Sequence, residues 1–187
     1  MTYLEKSRSL LFLRKFLLQP KQIGSIWPSS QFLAAKMVQY LHWSNVRSIA
    51  ELGAGTGAIT KAIESCVSES TKVFLYEKDH KMNSMLQAKY PQFICFSDAC
   101  TLTEDIQQHG VEQLDCVISG LPFFNFPPET REKLITQVVN ALKPGGYFIA
   151  FQYSLQMKKE LAKAFTIEKI GFVPFNTPPA FVYVCRK

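Results

Sequence analysis

The stretch Glu51-Leu52-Gly53-Ala54-Gly55-Thr56-Gly57 constrains this chain more than any other part of it. It follows the apolar run Val46 to Ala50, and Ala58 to Glu64 takes up a helical period directly after the glycines. A buried strand, a tight turn and a helix in that order commit the chain to an α/β architecture with the turn at the carboxyl end of a strand. Gly53, Gly55 and Gly57 remove three Cβ atoms where the backbone must bend and lie close to a ligand. Glu51 adds chemistry to the turn. A carboxylate at the strand end attracts an ammonium group and repels a pyrophosphate, so the expected ligand is an amino acid derivative.

The same arrangement repeats along the chain. Lys72 to Tyr76 stops at Glu77, about 20 residues beyond the turn, where a ribose-binding acid is expected in a Rossmann-type unit. Phe93 to Phe96 stops at Ser97-Asp98-Ala99, and Leu114 to Ile118 stops at Ser119-Gly120-Leu121-Pro122. Any one of these acids alone would read as a helix cap or a solvated turn residue. Four strand ends with polar residues at a regular interval point instead to one shared crevice.

These motifs resemble the class I methyltransferases that use S-adenosylmethionine, over roughly residues 46 to 187. The resemblance implies that Glu51, Gly53, Ala54, Gly55, Thr56 and Gly57 hold the methionine end of the cofactor. It places the ribose hydroxyls on Glu77 with Lys78 beside it, and the adenine at Asp98 and Ala99. Ser119, Leu121, Pro122 and Phe123, with Tyr153, would line the methyl-transfer site, Ser119 also touching the cofactor. Ala141-Leu142-Lys143-Pro144-Gly145-Gly146-Tyr147 looks like the family's lead into a fifth strand, Tyr147 to Tyr153.

Three further patches resemble bacterial phospholipid N-methyltransferases. They are Leu17 to Pro20 with Ile23 to Ser30, then Ser119 to Arg131, then Asn176-Thr177-Pro178-Pro179-Ala180. The first implies cofactor contacts at Ser29 and Ser30, either of which is also a natural N-cap for a helix from Gln31 to Tyr40. The related rRNA adenine dimethyltransferases are similar in plan but carry Asn-Leu-Pro-Tyr or Asn-Leu-Pro-Phe where this chain has Ser119-Gly120-Leu121-Pro122-Phe123. An adenine amino group needs a strong acceptor to free its lone pair, whereas an aliphatic amine needs only to lose a proton. A backbone carbonyl between Ser119 and Leu121 and a hydroxyl from Tyr153 or Ser119 could orient such an amine. Phe123 and Phe124 either face the charge growing on nitrogen or pack, packing being favoured for Phe124. Asn125 reads as a polar contact or as turn chemistry before Pro127-Pro128.

Charge separates the two ends of the chain. Residues 1–47 hold Lys6, Arg8, Arg14, Lys15, Lys21, Lys36 and Arg47 against Glu5, while the remaining basic and acidic residues balance, so the net charge of +6 lies in the first quarter. The expected partner is anionic. Tyr3 to Leu18 has helical composition, with leucines on two sides, Phe12 and Phe16 opposite, and Arg8 and Lys15 between. Such a helix either lies in a lipid interface or packs on its own domain with its lysines solvated.

Other signals are exclusions. The five cysteines form no C-x-x-C pair and read as reduced, and His42, His80 and His109 lack ligand spacing, so no metal is expected. Charged residues interrupt the first apolar stretch, which argues against a signal peptide or a span. The expectation is a cytoplasmic protein, peripheral on the inner membrane face, with no obligate protein partner.

The fold expected is a doubly wound, Rossmann-like seven-stranded α/β sheet over residues 46–187, preceded by a basic helical extension over residues 1–45. The activity expected is S-adenosylmethionine-dependent N-methylation of a phosphatidylethanolamine-type head group. The alternatives are an rRNA adenine N6-methyltransferase that meets RNA phosphates through the basic segment, and a non-catalytic cofactor-binding scaffold.

Overall fold

The computed structural model describes residues 30–187. The expected helix Tyr3 to Leu18, the basic cluster upstream of Pro28 and the candidate residue Ser29 lie outside the described residues.

Seven strands form one sheet: β1 (Ser48–Leu52), β2 (Lys72–Tyr76), β3 (Ile94–Phe96), β4 (Leu114–Ser119), β5 (Leu142–Gln152), β6 (Thr166–Val173) and β7 (Ala180–Arg186). Their spatial order is β3-β2-β1-β4-β5-β7-β6. The first five are parallel, and β7 lies antiparallel between β5 and β6. Six helices complete the described fold: α1 (Gln31–Val38), α2 (Ala58–Glu64), α3 (His80–Lys89), α4 (Leu102–Gln108), α5 (Pro128–Ala141) and α6 (Lys158–Ala164). This is the doubly wound architecture expected.

Strand alternation sends side chains to opposite faces, and each face builds its own core. Ile49, Val73, Leu75, Cys116, Ile118 and Ile149 point to one, where α1 and α2 cover them. Ala50, Phe74, Val117, Phe148 and Ala150 point to the other, toward α4, α5 and α6. Leu33 and Met37 of α1 are fully buried in the first core. The boundary at 45/46 is thus one of sequence character, since α1 and the sheet share one core.

Two details differ from the sequence reading. α1 ends at Val38, and its cap is Ser30, whose Oγ accepts the Leu33 N–H at 3.1 Å. β5 begins at Leu142, ahead of the expected Tyr147, because the chain pairs with β4 on both sides of an irregularity between Leu114 and Cys116. Gly145, at φ +75°, makes the bend that this irregularity needs.

Candidate active site

The order β3-β2-β1-β4 reverses direction at β1, so a crevice opens beyond the carboxyl ends of β1 and β4. Backbone hydrogen bonds stitch these ends together. Gly53 and Ala54 N–H groups both donate to the Tyr76 carbonyl at 2.8 and 3.0 Å, Gly120 N–H donates to the Leu52 carbonyl at 2.8 Å, and Glu77 N–H donates to the Phe96 carbonyl at 3.0 Å. Glu51, the glycine turn, Glu77, Asp98 with Ala99, and Ser119 to Pro122 therefore share one edge of the sheet. Lys78 stands exposed beside Glu77 on that edge.

The glycines divide the work. Gly53 (φ +76°) lies so close to the β4 loop that a Cβ would stand 2.9 Å from the Leu121 side chain. Gly57 (φ +82°) backs onto Leu86 and Tyr90. Gly55 (φ +55°) has open space where its Cβ would go. Its N–H donates to Glu77 Oε2 at 2.8 Å, while Asp79 N–H donates to Oε1 at 2.9 Å. Glu77 thus fixes the turn and keeps acceptor capacity for a diol. Asn83, buried in α3, secures this corner by donating to the carbonyls of Glu77 and Phe96 at 3.0 and 2.8 Å.

Glu51 is fully buried. Its Oε2 accepts the Thr60 hydroxyl at 2.6 Å, and Oε1 has no hydrogen-bond partner among the described residues. Burial pushes its carboxyl up to about 8, the Thr60 bond opposing this and the nearby Glu77 charge adding to it. A buried, half-satisfied carboxyl beneath an open glycine turn fits the ammonium of a methionine moiety. The residues present therefore fit S-adenosylmethionine, with Glu51 and the glycine turn at its amino acid end and Glu77 at its ribose. Asp98 is exposed and caps a short 3-10 turn, Ala99–Thr101, by accepting the Cys100 N–H at 2.9 Å.

On the acceptor side, Ser119 is buried and its Oγ accepts the Leu121 N–H at 3.2 Å, so this hydroxyl shapes the loop. The Leu121 carbonyl takes two donors, Phe123 N–H at 2.9 Å and Gln152 Nε2 at 2.9 Å. Gln152 is buried at the end of β5, and sequence reasoning passed over it. It closes β5 as Ser119 closes β4, but the expected strand runs on to Tyr153 and hides that position. Thr60 carries no signal either, because a threonine inside a helix is ordinary.

Tyr153 follows Gln152 and packs edge-on to Phe151 at 5.6 Å. Burial raises its phenol above the usual range, against a hydrogen bond with Asn176 that lowers it. It stays neutral near pH 7 and acts as a donor or acceptor without becoming a base. Buried Asn176, in the β6–β7 connection, accepts the Ser30 N–H at 3.0 Å and donates to the Pro178 carbonyl at 2.7 Å. The start of α1, the closing hairpin and the end of β5 meet there.

The two phenylalanines are distributed opposite to expectation. Phe123 is buried, edge-on to Phe126 at 6.4 Å and to Phe148 at 5.9 Å, because the 3-10 turn Phe123–Asn125 folds it under the loop into the second core. Phe124 is 50% exposed at the mouth. Phe123→Ala should therefore cost about 3–5 kcal/mol of stability by leaving a cavity. Calorimetric unfolding checks this; loss of turnover with unchanged melting would restore a direct role for the ring.

A cavity of about 270 Å³ at the opposite edge is lined by His42, Asp115, Lys143 and Arg186 among others. Its charges serve structure: Lys143 pairs with Asp115 at 2.6 Å and Arg186 with Glu168 at 2.9 Å. No cluster of metal-ligating side chains occurs among the described residues.

Comparison with known proteins agrees with this fold. The methyltransferase-domain family matches residues 49–146. An ornithine lipid N-methyltransferase of Singulisphaera acidiphila is 36% identical over 182 residues, covering 94% of each chain. Among solved structures, the 1,6-didemethyltoxoflavin-N1-methyltransferase of Burkholderia thailandensis, with bound S-adenosylhomocysteine, aligns with a TM-score of 0.66 at 13% identity, covering 100% of this chain and 91% of that one. A precorrin-6y C5,15-methyltransferase from Geobacter metallireducens gives 0.63 at 12%, covering 83% and 88%. Both are similar in fold.

Proposed function

The chain belongs to the S-adenosylmethionine-dependent class I methyltransferases, and from that premise we propose that it methylates a primary amine on a lipid head group. The observation that carries this reading is the likeness to the ornithine lipid N-methyltransferase, which extends over nearly the whole of both chains. Ornithine lipids and phosphatidylethanolamine share an aliphatic amine held at a membrane surface. A phosphatidylethanolamine-type acceptor is our specific reading within that class. Gly120, directly ahead of Leu121-Pro122-Phe123, stands where the RNA enzymes carry the Asn of Asn-Leu-Pro-Phe, and the lack of that amide favours an aliphatic amine over an adenine.

S-adenosylmethionine supplies an electrophilic methyl on a sulfonium, and the protein's share is alignment and a neutral nucleophile. Glu51 anchors the ammonium end, and the glycine turn lets the backbone approach. On the acceptor side, Gln152 and the Phe123 N–H occupy the Leu121 carbonyl, and we assign the Gly120 carbonyl as the acceptor offered to the amine. Tyr153, neutral and tied to Asn176, orients the amine from the β5 side. Leaving water favours the uncharged amine, so burial in the crevice itself promotes loss of its proton. The exposed Phe124 ring meets the cationic product by cation–π attraction.

Gln152→Leu should lower turnover about tenfold to a hundredfold while leaving cofactor affinity within about twofold, because it frees the acceptor loop without touching the glycine turn. Steady-state rates beside calorimetric cofactor binding check this; equal losses in both would move Gln152 to the cofactor side.

The acceptor is tested by incubating the protein and S-adenosylmethionine with vesicles containing phosphatidylethanolamine or ornithine lipid plus an anionic lipid, with ribosomal RNA in parallel. Mass spectrometry of the lipids should show added methyl groups on the amine. Methylated adenine with untouched lipid would overturn the proposal, and cofactor retention without any turnover would point to a scaffold.

A further inference from the structure

Large apolar side chains that neither core uses gather at the carboxyl edge of the sheet. Phe32 is 63% exposed, Phe175 74%, Phe124 50% and Leu155 47%. Phe32 is the second residue of α1 and Phe175 lies in the β6–β7 connection, their ring centroids 5.6 Å apart. The Ser30–Asn176 hydrogen bond holds those two segments together. Phe124 and Leu155 follow β4 and β5, and their neighbours Phe123 and Met157 are buried in the second core. α1 is buried in the first. The four side chains therefore rise from both faces of the sheet around the mouth formed by Gly120 to Pro122 and Tyr153. Pro174 and Pro179 are exposed in the same connection as Phe175.

Charge completes the picture. Lys158 and Lys159 are exposed at the start of α6, just beyond Leu155. The segment carrying Lys6, Arg8, Arg14, Lys15 and Lys21 against Glu5 joins the described structure at Ser30, on this same edge. Apolar side chains clustered on one rim are costly in water, and a rim bordered by lysines has the chemistry of an anionic lipid interface more than of a protein partner.

We propose that this rim is a membrane-docking face, with Phe32, Phe175 and Leu155 dipping below the head groups of an anionic bilayer, Phe124 at head-group level and the crevice opening onto them. The inference rests on the lipid reading of the acceptor. It adds that a head-group amine reaches Gly120 and Tyr153 with its acyl chains still in the bilayer, so no hydrophobic tunnel is needed.

The test uses the full chain and vesicles of phosphatidylcholine and phosphatidylglycerol, which carry no primary amine, so docking is read apart from catalysis. In about 0.5 M salt, where attraction between exposed charges is screened, a fraction of the protein should still sediment with the vesicles. Phe32→Ser with Phe175→Ser, and separately Leu155→Ser, should cut that fraction roughly tenfold while melting temperature and cofactor affinity stay unchanged. Phe175→Trp should preserve docking and add a fluorescence blue shift on contact with vesicles. Undiminished sedimentation of the serine variants, or an emission from the Phe175→Trp variant that vesicles do not move, would overturn the docking face. If the rim variants lose docking but no lipid amine is ever methylated, the face stands and the acceptor reading falls; methylated lipid with rim variants that dock as before gives the reverse.

Discussion

Glu51→Gln is expected to weaken S-adenosylmethionine binding by about one to two orders of magnitude, the range for losing a hydrogen bond to a charged partner, and to flatten its dependence on pH. In the free protein burial holds the Glu51 carboxyl near 8, so at neutral pH it is mostly protonated. An ammonium placed against Oε1 favours the ionised form and draws the carboxyl down. Binding below pH 8 thus expels about one proton, and affinity climbs as pH rises toward 8. Above that, a cofactor α-amino group loses its own proton near 8, so the wild-type profile should peak there. Glutamine keeps an oxygen for the Thr60 hydroxyl but has no proton to release, so the acid limb should vanish. Stability carries the opposite sign. A carboxyl whose folded value is raised contributes fully below about 4.5 and loses that contribution as pH rises through 8. The melting temperature of Glu51→Gln should therefore gain on wild type steadily over that window. Calorimetry in buffers of different ionisation enthalpy, beside thermal unfolding from pH 5 to about pH 9, checks both; a parallel pH dependence in the variant would remove Glu51 from the binding step.

Gly120→Ala is expected to damage stability and turnover together. Its Cβ would stand 2.9 Å from the Gly53 carbonyl oxygen and 3.6 Å from the Phe151 ring. A backbone oxygen cannot swing aside as a side chain can, so the cofactor turn and the acceptor loop must separate. Overpacking of this kind costs about 1–3 kcal/mol. A displacement near 1 Å between reacting groups costs roughly a hundredfold in rate. Both losses should appear together, in thermal unfolding and in kcat/KM. Gly145→Ala supplies the control. It is strained at φ +75°, yet nothing lies within 4 Å of the added methyl and it stands at the opposite edge. It should lower stability modestly and leave turnover alone. Near-wild-type turnover in Gly120→Ala would mean that the two loops need no fixed spacing.

Much of this arrangement is legible in the sequence because strands that end in polar residues declare both their direction and their open end. Glu51, Glu77, Asp98 and Ser119 do so, and the glycines between Glu51 and Ala58 mark the turn. The helix expected from Ala58 to Glu64 forms over those residues. Legibility fails where a residue's role depends on partners far along the chain. Asn176 reads only as part of a family-like patch ahead of Pro178, yet its contact with Ser30 spans 146 residues. Phe123 and Phe124 are adjacent and chemically identical, so only the sense of the 3-10 turn decides which is buried. Gln152 stays hidden because the expected strand runs one residue further, to Tyr153, which leaves the amide inside an apolar run.

The antiparallel insertion of β7 between β5 and β6 has a consequence for synthesis. Gln152 pairs with Phe181, so the end of β5 has no neighbour on that side until residues 180–186 have left the ribosome. A nascent chain halted before Ala180 can already carry the glycine turn, Glu51 and Glu77 on strands β1 to β4. It still lacks the lateral support that β7 gives the Gln152 end of β5. The strands that carry the glycine turn and Glu77 are thus synthesised before the strand that flanks the end of β5.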